Sequence, residues 1–505
     1  MAFPGSVQSG EDLARRIDAI VDGPDYKHAH WGILVVNAKT GEPVYARNAD
    51  KLFAPASVTK LFSCAAALVA LGADHRFENT LRRQGEIENG ILNGDLVLVA
   101  SGDLTLGGRT GADGRIVFQS KDHTYANSGL MEAELTNAEP LAGLKELARQ
   151  VKASGIKEVR GEVAVDDRLF ARSRGSGSGP DLITPIVVND NVVDLLITPA
   201  PRPGEPATVR AIPDTAYYAI DAVVGTAGED EKPEIHLVPL GPNRFAVRGK
   251  VPAKAKPFVR IYPVEDPANF ARTLLIEALK AEGILVQAAS VRTSNPELPA
   301  RAEVLKLPTV ATLQSPPLKD VITVVLKVSH NLYASTLPAL MAVKAGQENI
   351  DDGLREQGKV LKGLGVDVES IALGSGAGGA RTDFVSPRAT VQVLQGMAKR
   401  PEWDAYRAGL PSLGVDGTLA DVVSASSPAR GKVFAKTGTL VWHEPMNDRF
   451  LLTSKAIAGI TTTKDGTPLI FAIFVNNNPL PPGVTTSREG KVLGKLAETL
   501  WEHGP

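Results

Sequence analysis

Apolar residues recur at helical spacing through Leu61, Phe62, Ala65, Leu68 and Leu71, which predicts a helix entered at Pro55-Ala-Ser57 and stopped at Gly72. Ahead of it, Trp31–Asn37 and Val44–Arg47 read as strands joined by the turn Lys39–Pro43. Residues Glu86–Gly94 carry two Asn-Gly pairs, Asn89-Gly90 and Asn93-Gly94, and lead into the apolar run Leu96–Ala100, which is the chemistry of a tight hairpin. Leu141, Leu144, Leu147, Ala148 and Val151 line one face of a helix over Glu139–Ser154, and the strand Glu162–Val165 follows. Ser173–Gly179 is Gly/Ser-rich and reads as a mobile loop or linker. From Ile186 to Arg260 the pattern is strand-rich and broken by Pro and Gly, as in a small all-β module. A helix at Pro267–Ala281 ends before Gly283, and a strand Val321–Val328 leads into a helix from Asn331, with further helices to Val423. Val433–Ala435, Lys455–Thr461 and Leu469–Val475 read as antiparallel strands, and Thr485–Trp501 as a closing helix. The two ends share one texture and roughly 200 residues between them another, so an insertion inside a larger α+β domain is the economical organisation.

Composition narrows this picture. At 505 residues the chain exceeds one ordinary core, so two or three domains are expected. The 43% hydrophobic and 22% charged fractions are those of a globular protein. Lys plus Arg (55) against Asp plus Glu (57) leaves −2, which provides no basic footprint for nucleic acid and no polybasic membrane patch. No apolar run approaches the ~18–20 residues of a membrane span. The single cysteine, Cys64, excludes an internal disulfide and a cysteine metal cluster, and the eight histidines show no ligand spacing. Met1–Gly10 has neither a basic nor an apolar leader region; the protein is either cytosolic or numbered without its leader.

Three short motifs carry candidate chemistry. Ser57-Val-Thr-Lys60 opens a helix, and a spacing of three puts the lysine amine within reach of the serine hydroxyl. A serine alcohol needs such a base to become a nucleophile. Ser329-His-Asn331 lies between an apolar strand and a helix, and Lys436-Thr-Gly-Thr439 ends a short strand. Taken singly, each has a plain structural explanation: an N-cap serine before a solvated lysine, a second N-cap, and a β-turn at Gly438. A Ser-His-Asp hydrolase would need a base such as His330 or His443, but no Gly-x-Ser-x-Gly elbow surrounds Ser57, and His330 is expected to face away from its neighbours' pocket.

Together and in this order, the motifs resemble the set of penicillin-binding proteins and class A β-lactamases. The chain is more specifically similar to low-molecular-mass class C penicillin-binding proteins, or S13-type D-Ala-D-Ala carboxypeptidases. The likeness extends to Asn93-Gly-Asp-Leu96 with Ser101-Gly-Asp103, Val165-Asp-Asp167 with Phe170, Asn189-Asp-Asn191 with Pro199, Gly374-Ser-Gly376 with Ser386-Pro387, and Gly414-Val-Asp-Gly-Thr-Leu419. The gap of about 270 residues between Ser57 and Ser329 separates this branch from β-lactamases. The resemblance implies an α/β (α+β) β-lactamase/transpeptidase-like core with nested inserted domains, one of them mostly β. It would comprise residues 1–80 and 300–505, a second domain of 81–185 and 261–299, and a third of 186–260.

It also implies roles, and a reaction that needs no metal or organic cofactor. Ser57 would be the nucleophile and Lys60 its base, with Ser329 relaying a proton, Asn331 orienting Lys60 and the substrate amide, and Lys436 supplying charge. Thr437, Gly438 and Thr439 would form the substrate-binding and oxyanion wall. The implied partners are peptidoglycan stem peptides, with β-lactam antibiotics as covalent inhibitors, and the implied location is extracytoplasmic; oligomeric state carries no signature. Two other classes stay open: a D-amino-acid amidase, aminopeptidase or esterase on the same scaffold, and a catalytically silent peptidoglycan-binding protein. Departures from the family pattern lie at Ser173–Pro180, in place of a Trp/Asp/Tyr-rich segment, at Gly374–Arg381, and between Thr439 and Lys455. The last stretch, including Trp442–Arg449, reads as a loop that either joins two strands or shapes the substrate pocket.

Overall fold

The computed structural model describes residues 4–128 and 132–504; of the opening segment weighed above, Met1–Phe3 lies outside the described residues. The chain divides into two compact units, one of residues 1–75, 175–177 and 318–505, the other of residues 76–174 and 178–317.

The first unit is built on a five-stranded antiparallel sheet. Its strand order is Val433–Glu444, Arg449–Thr462, Pro468–Pro479, His30–Asn37 and Pro43–Arg47. The central strand is buried continuously from Leu469 to Asn476, because helices cover both sheet faces. On one face Leu13 and Ile17 from the helix Pro4–Val21 join Leu493, Leu496 and Leu500 from the helix Thr486–His503, against Ile33, Val35, Ile457 and Ile473. On the other face the helix Pro387–Met397 packs on the sheet and on the helix Thr59–Leu71. The latter is buried without interruption from Thr59 to Leu68, as an all-round apolar helix must be. The sequence reading contains no helix at Pro4–Val21, although Leu13, Ile17 and Val21 recur every four residues.

The second unit holds a six-stranded sheet including Glu78–Glu88 and Ile91–Val99, with the helices Ala142–Ala153 and Pro267–Ala281 in its core. Two three-stranded sheets follow, one centred on Val192–Thr198 and one on Arg244–Pro252. A buried ionic network also lies here. His123 is held between Asp194 at Nδ1 and Asp190 at Nε2, both at 2.6 Å, and Arg109 pairs with Asp122 and Asp190 at 2.8 and 2.6 Å. Desolvation alone would lower the His123 pKa; the two carboxylates outweigh it and hold it well above the usual histidine range.

Four expectations are corrected. Val321–Val328 is not a strand: Val321–Lys327 belongs to the helix Leu318–Lys327, and Val328 directly follows it. Its β-branched run resembles a strand in isolation, yet Val321, Ile322, Val324, Val325 and Leu326 are buried through helical packing. Only Asn89-Gly90 forms a hairpin turn; Asn93-Gly94 lies inside the next strand, with Gly94 opposite Gly85. The expected loop Trp442–Arg449 is mostly strand, since the two strands continue in register to Glu444 and Arg449 and leave only residues 445–448 as a turn. Finally, Ser173–Gly179 is no free linker. Ser173–Arg174 pairs with Leu182–Ile183, and residues 175–177 belong to the first unit.

Candidate active site

Ser57 sits on a short 3-10 turn, Ala56–Val58, that runs directly into the helix Thr59–Leu71. Lys60 is one turn further on and fully buried. Its Nζ donates to Ser57 Oγ at 2.8 Å, to Asn331 Oδ1 at 2.7 Å and to the Ala377 carbonyl at 2.9 Å. Burial disfavours the ammonium form and lowers the Lys60 pKa to about 7. Ser57 itself stays partly exposed, so the hydroxyl is reachable while the amine is not.

Asn331 and Ser329 are delivered by the junction between the helices Leu318–Lys327 and Asn331–Lys344. Ser329 is in the left-handed region (φ 66), so the chain turns sharply there and sends Ser329 and Asn331 to the site. His330, between them, caps the following helix: its Nδ1 accepts from the Tyr333 N–H, and its ring stacks on Tyr333 at 3.8 Å. The cap is thus the histidine, not the flanking serine or asparagine.

The edge strand Val433–Glu444 forms the opposite wall. Lys436 is fully buried; its Nζ donates to Ser329 Oγ at 3.0 Å and to the Thr437 carbonyl at 2.7 Å. Desolvation, followed by the nearby Lys60 amine, pushes its pKa well below the usual lysine range. Val433 and Ala435 use their outward backbone groups to pair with Leu413 and Pro411. By strand alternation the N–H groups of Thr437 and Thr439 also point out of that edge, towards the Ser57 turn. Gly438 permits the approach: a Cβ there would lie 2.5 Å from the Pro55 carbonyl and 3.0 Å from the Ser57 nitrogen. Thr437 Oγ1 is 2.7 Å from Thr418 Oγ1, and Thr439 Oγ1 accepts from Lys455 Nζ at 2.8 Å. All eight residues singled out from the sequence therefore lie in the first unit and around one opening.

Sequence reasoning missed the supports. The buried Asp383 carboxylate accepts from the Gly374, Ser375 and Ala380 N–H groups and from Ser375 Oγ, and so shapes the loop that presents the Ala377 carbonyl to Lys60. Ser176 Oγ bonds Ser375 Oγ at 2.9 Å and accepts from the Gly379 N–H at 3.0 Å. Gly177 (φ 98) then passes so close to Asn331 that a Cβ would meet its amide nitrogen at 2.5 Å. The Gly/Ser-rich composition was the visible signal, and close backbone approach is its cause. Lys455 carried no signal beyond opening the expected strand Lys455–Thr461, and it lies inside the longer strand Arg449–Thr462.

An alcohol held against a buried amine of lowered pKa, beside a second buried amine and an open strand edge, is the arrangement of a serine hydrolase that uses lysine in place of histidine. Residues 13–493 match the model of the D-Ala-D-Ala carboxypeptidase 3 (S13) family, and the chain belongs to that family. It is 32% identical over 458 residues to a D-alanyl-D-alanine carboxypeptidase of Actinomadura sp. (strain R39), covering 85% of this chain and 76% of that one. It is 24% identical to the D-alanyl-D-alanine carboxypeptidase DacB of Haemophilus influenzae, covering 88% and 85%. The fold is that of penicillin binding protein 4 (dacB) from Haemophilus influenzae, with a TM-score of 0.70, 21% identity, and 98% and 99% of the two chains covered.

Proposed function

We propose that the chain hydrolyses D-Ala-D-Ala-type bonds of peptidoglycan stem peptides through an acyl-enzyme on Ser57, and that penicillins acylate the same hydroxyl. The observation that carries this is the Lys60 amine, buried 2.8 Å from Ser57 Oγ and with a pKa of about 7, so that it is half neutral near neutral pH. The neutral amine takes the Ser57 proton as Oγ adds to the scissile carbonyl. The negative oxygen that forms accepts from the outward N–H groups of Ser57 and Thr439. Ser329, 3.0 Å from Lys436, passes its proton to the departing D-Ala nitrogen as the C–N bond breaks and is reprotonated at the expense of the ammonium formed on Lys60, which is neutral again. Water then loses a proton to Lys60 as it adds to the ester, and Lys60 returns that proton to Ser57 Oγ as the acid product leaves. Asn331 holds Lys60 in place, and the Thr437 and Thr439 hydroxyls receive the terminal carboxylate in the field of Lys436.

Belonging to the S13 family supports this substrate class over an amidase or esterase. A wall substrate further requires the protein to work outside the cytoplasmic membrane; among the described residues no helix is long and apolar enough to span one. The experiment compares turnover of diacetyl-L-Lys-D-Ala-D-Ala with that of an ester and of a D-amino-acid amide. Preference for the peptide is the expected outcome. Preference for the amide overturns the substrate, and turnover of none of the three, with no penicillin labelling, indicates a silent binding protein.

A further inference from the structure

Lys455 takes no part in the chemistry above, yet it is built into the same wall. It pairs directly across from Thr439 in the sheet, and its Nζ donates to Thr439 Oγ1 at 2.8 Å. Side chains directly opposite on an antiparallel pair share one face, so Lys455, Thr437 and Thr439 line the same side of the strand edge. Lys455 packs under the helix Thr486–His503, beside Gly490. Its environment costs it charge: burial lowers its pKa to about 8, only partly offset by the field of Glu489. Glu489 is no direct partner, because its oxygens already accept from Tyr26 Oη at 2.8 Å and from Arg488 at 2.7 Å. Lys455 in turn helps to lower the pKa of Lys436 on the neighbouring strand. Among the described residues, no carboxylate comes within ion-pair distance of Lys455. A part-buried ammonium with no carboxylate in direct contact, at a site that handles an anionic chain end, is completed when that anion arrives.

We propose that Lys455 is a positioning and specificity residue for the terminal carboxylate of the substrate, acting through Thr439. By donating to Thr439 Oγ1, the ammonium occupies one of its lone pairs and leaves the hydroxyl hydrogen directed towards the opening, where a carboxylate oxygen accepts it. The positive charge behind that hydroxyl favours substrates ending in a free carboxylate over otherwise identical neutral ones. The inference rests on the function proposed above and assigns its preference for acid-terminated peptides to one further side chain.

The test uses diacetyl-L-Lys-D-Ala-D-Ala and the same peptide ending in a carboxamide. The ratio of kcat/KM for acid over amide is measured for the wild type and for Lys455→Met, Lys455→Gln and Lys455→Arg, each checked by its melting temperature. Loss of a charge-assisted contact should reduce that ratio by about 10- to 100-fold in Lys455→Met and Lys455→Gln, with the change in KM rather than kcat. Lys455→Arg should retain most of it. A merely structural lysine predicts equal losses on acid and amide, and an unchanged ratio in either neutral variant overturns the inference. Fluorescent-penicillin labelling of the wild type runs in parallel. Failure to label Ser57 overturns the proposed function itself, whereas labelling with an unchanged ratio overturns only the role of Lys455.

Discussion

Asn331→Asp tests the base assignment with almost no change of shape. It places a carboxylate where the Asn331 Oδ1 now stands, 2.7 Å from Lys60 Nζ. An opposite charge at that distance raises a lysine pKa by about 1–3 units. Starting from about 7, the Lys60 pKa would move to about 8–10. The neutral share at pH 7 would then fall from about a half to between about 10% and 0.1%, slowing acylation there by about 5- to 500-fold. The sign follows from the mechanism, since only neutral Lys60 accepts the Ser57 proton. In the wild type, acylation should rise with pH through about 7 and then level off. In the variant the rise should begin later, and the two curves should approach each other at alkaline pH. The assay is the second-order rate of labelling by a fluorescent penicillin between pH 5.5 and 10, corrected for uncatalysed ring opening. A midpoint that stays put or moves down, or a loss of the same size at every pH, refutes the assignment of Lys60 as the base.

Other outcomes are expected. Ser57→Ala should abolish penicillin labelling, and Lys60→Ala should slow it by at least ~10²-fold with the fold retained; a labelled Ser57→Ala protein or a near-normal Lys60→Ala rate moves those roles elsewhere. His123→Leu should cost about 3–5 kcal/mol, because it leaves the buried Asp194 without its cation and Asp190 with Arg109 alone. With its folded pKa raised, the histidine's contribution is complete below about 6.5 and fades as pH rises through the folded value. The gap in melting temperature between wild type and variant should therefore be widest in mild acid, and a pH-independent gap contradicts this. Replacing Trp442–Arg449 by a short Gly/Ser turn removes Trp442 and Met446, which are 64% and 85% exposed on the hairpin that follows Thr439. It should alter relative kcat/KM among peptides of different penultimate side chain more than it alters acylation by a small β-lactam; a uniform loss across all ligands means the hairpin only supports the Lys436 strand.

What could be read from the sequence was whatever depends on short spacing. Ser57 and Lys60 are one helical turn apart, so their contact is nearly dictated once Thr59–Leu71 is a helix, and continuous apolar character makes it one. The helix Pro267–Ala281 was legible to the residue, because Asp266 caps it, Pro267 starts it and Gly283 follows it. Ser329, Asn331 and Lys436 were recognisable only as members of a motif set, since nothing local says that residues 107 and 271 positions apart will share hydrogen bonds. Where the pattern was ambiguous, tertiary packing decided. The β-branched run in Val321–Lys327 became helix because its buried positions match a helical face. The stretch after Thr439 became a longer hairpin because its cross-strand register continues to Glu444 and Arg449. The same long-range packing brought Lys455 to Thr439, set the Ala377 carbonyl against Lys60 through Asp383, and folded Ser176 and Gly177 against the site. It also set the electrostatics of the Ser57–Lys60 pair. A lysine has a pKa near 10.4 in water, and only enclosure in a low-dielectric interior brings Lys60 to about 7; that enclosure is made by residues scattered along the chain, whose convergence no local pattern encodes.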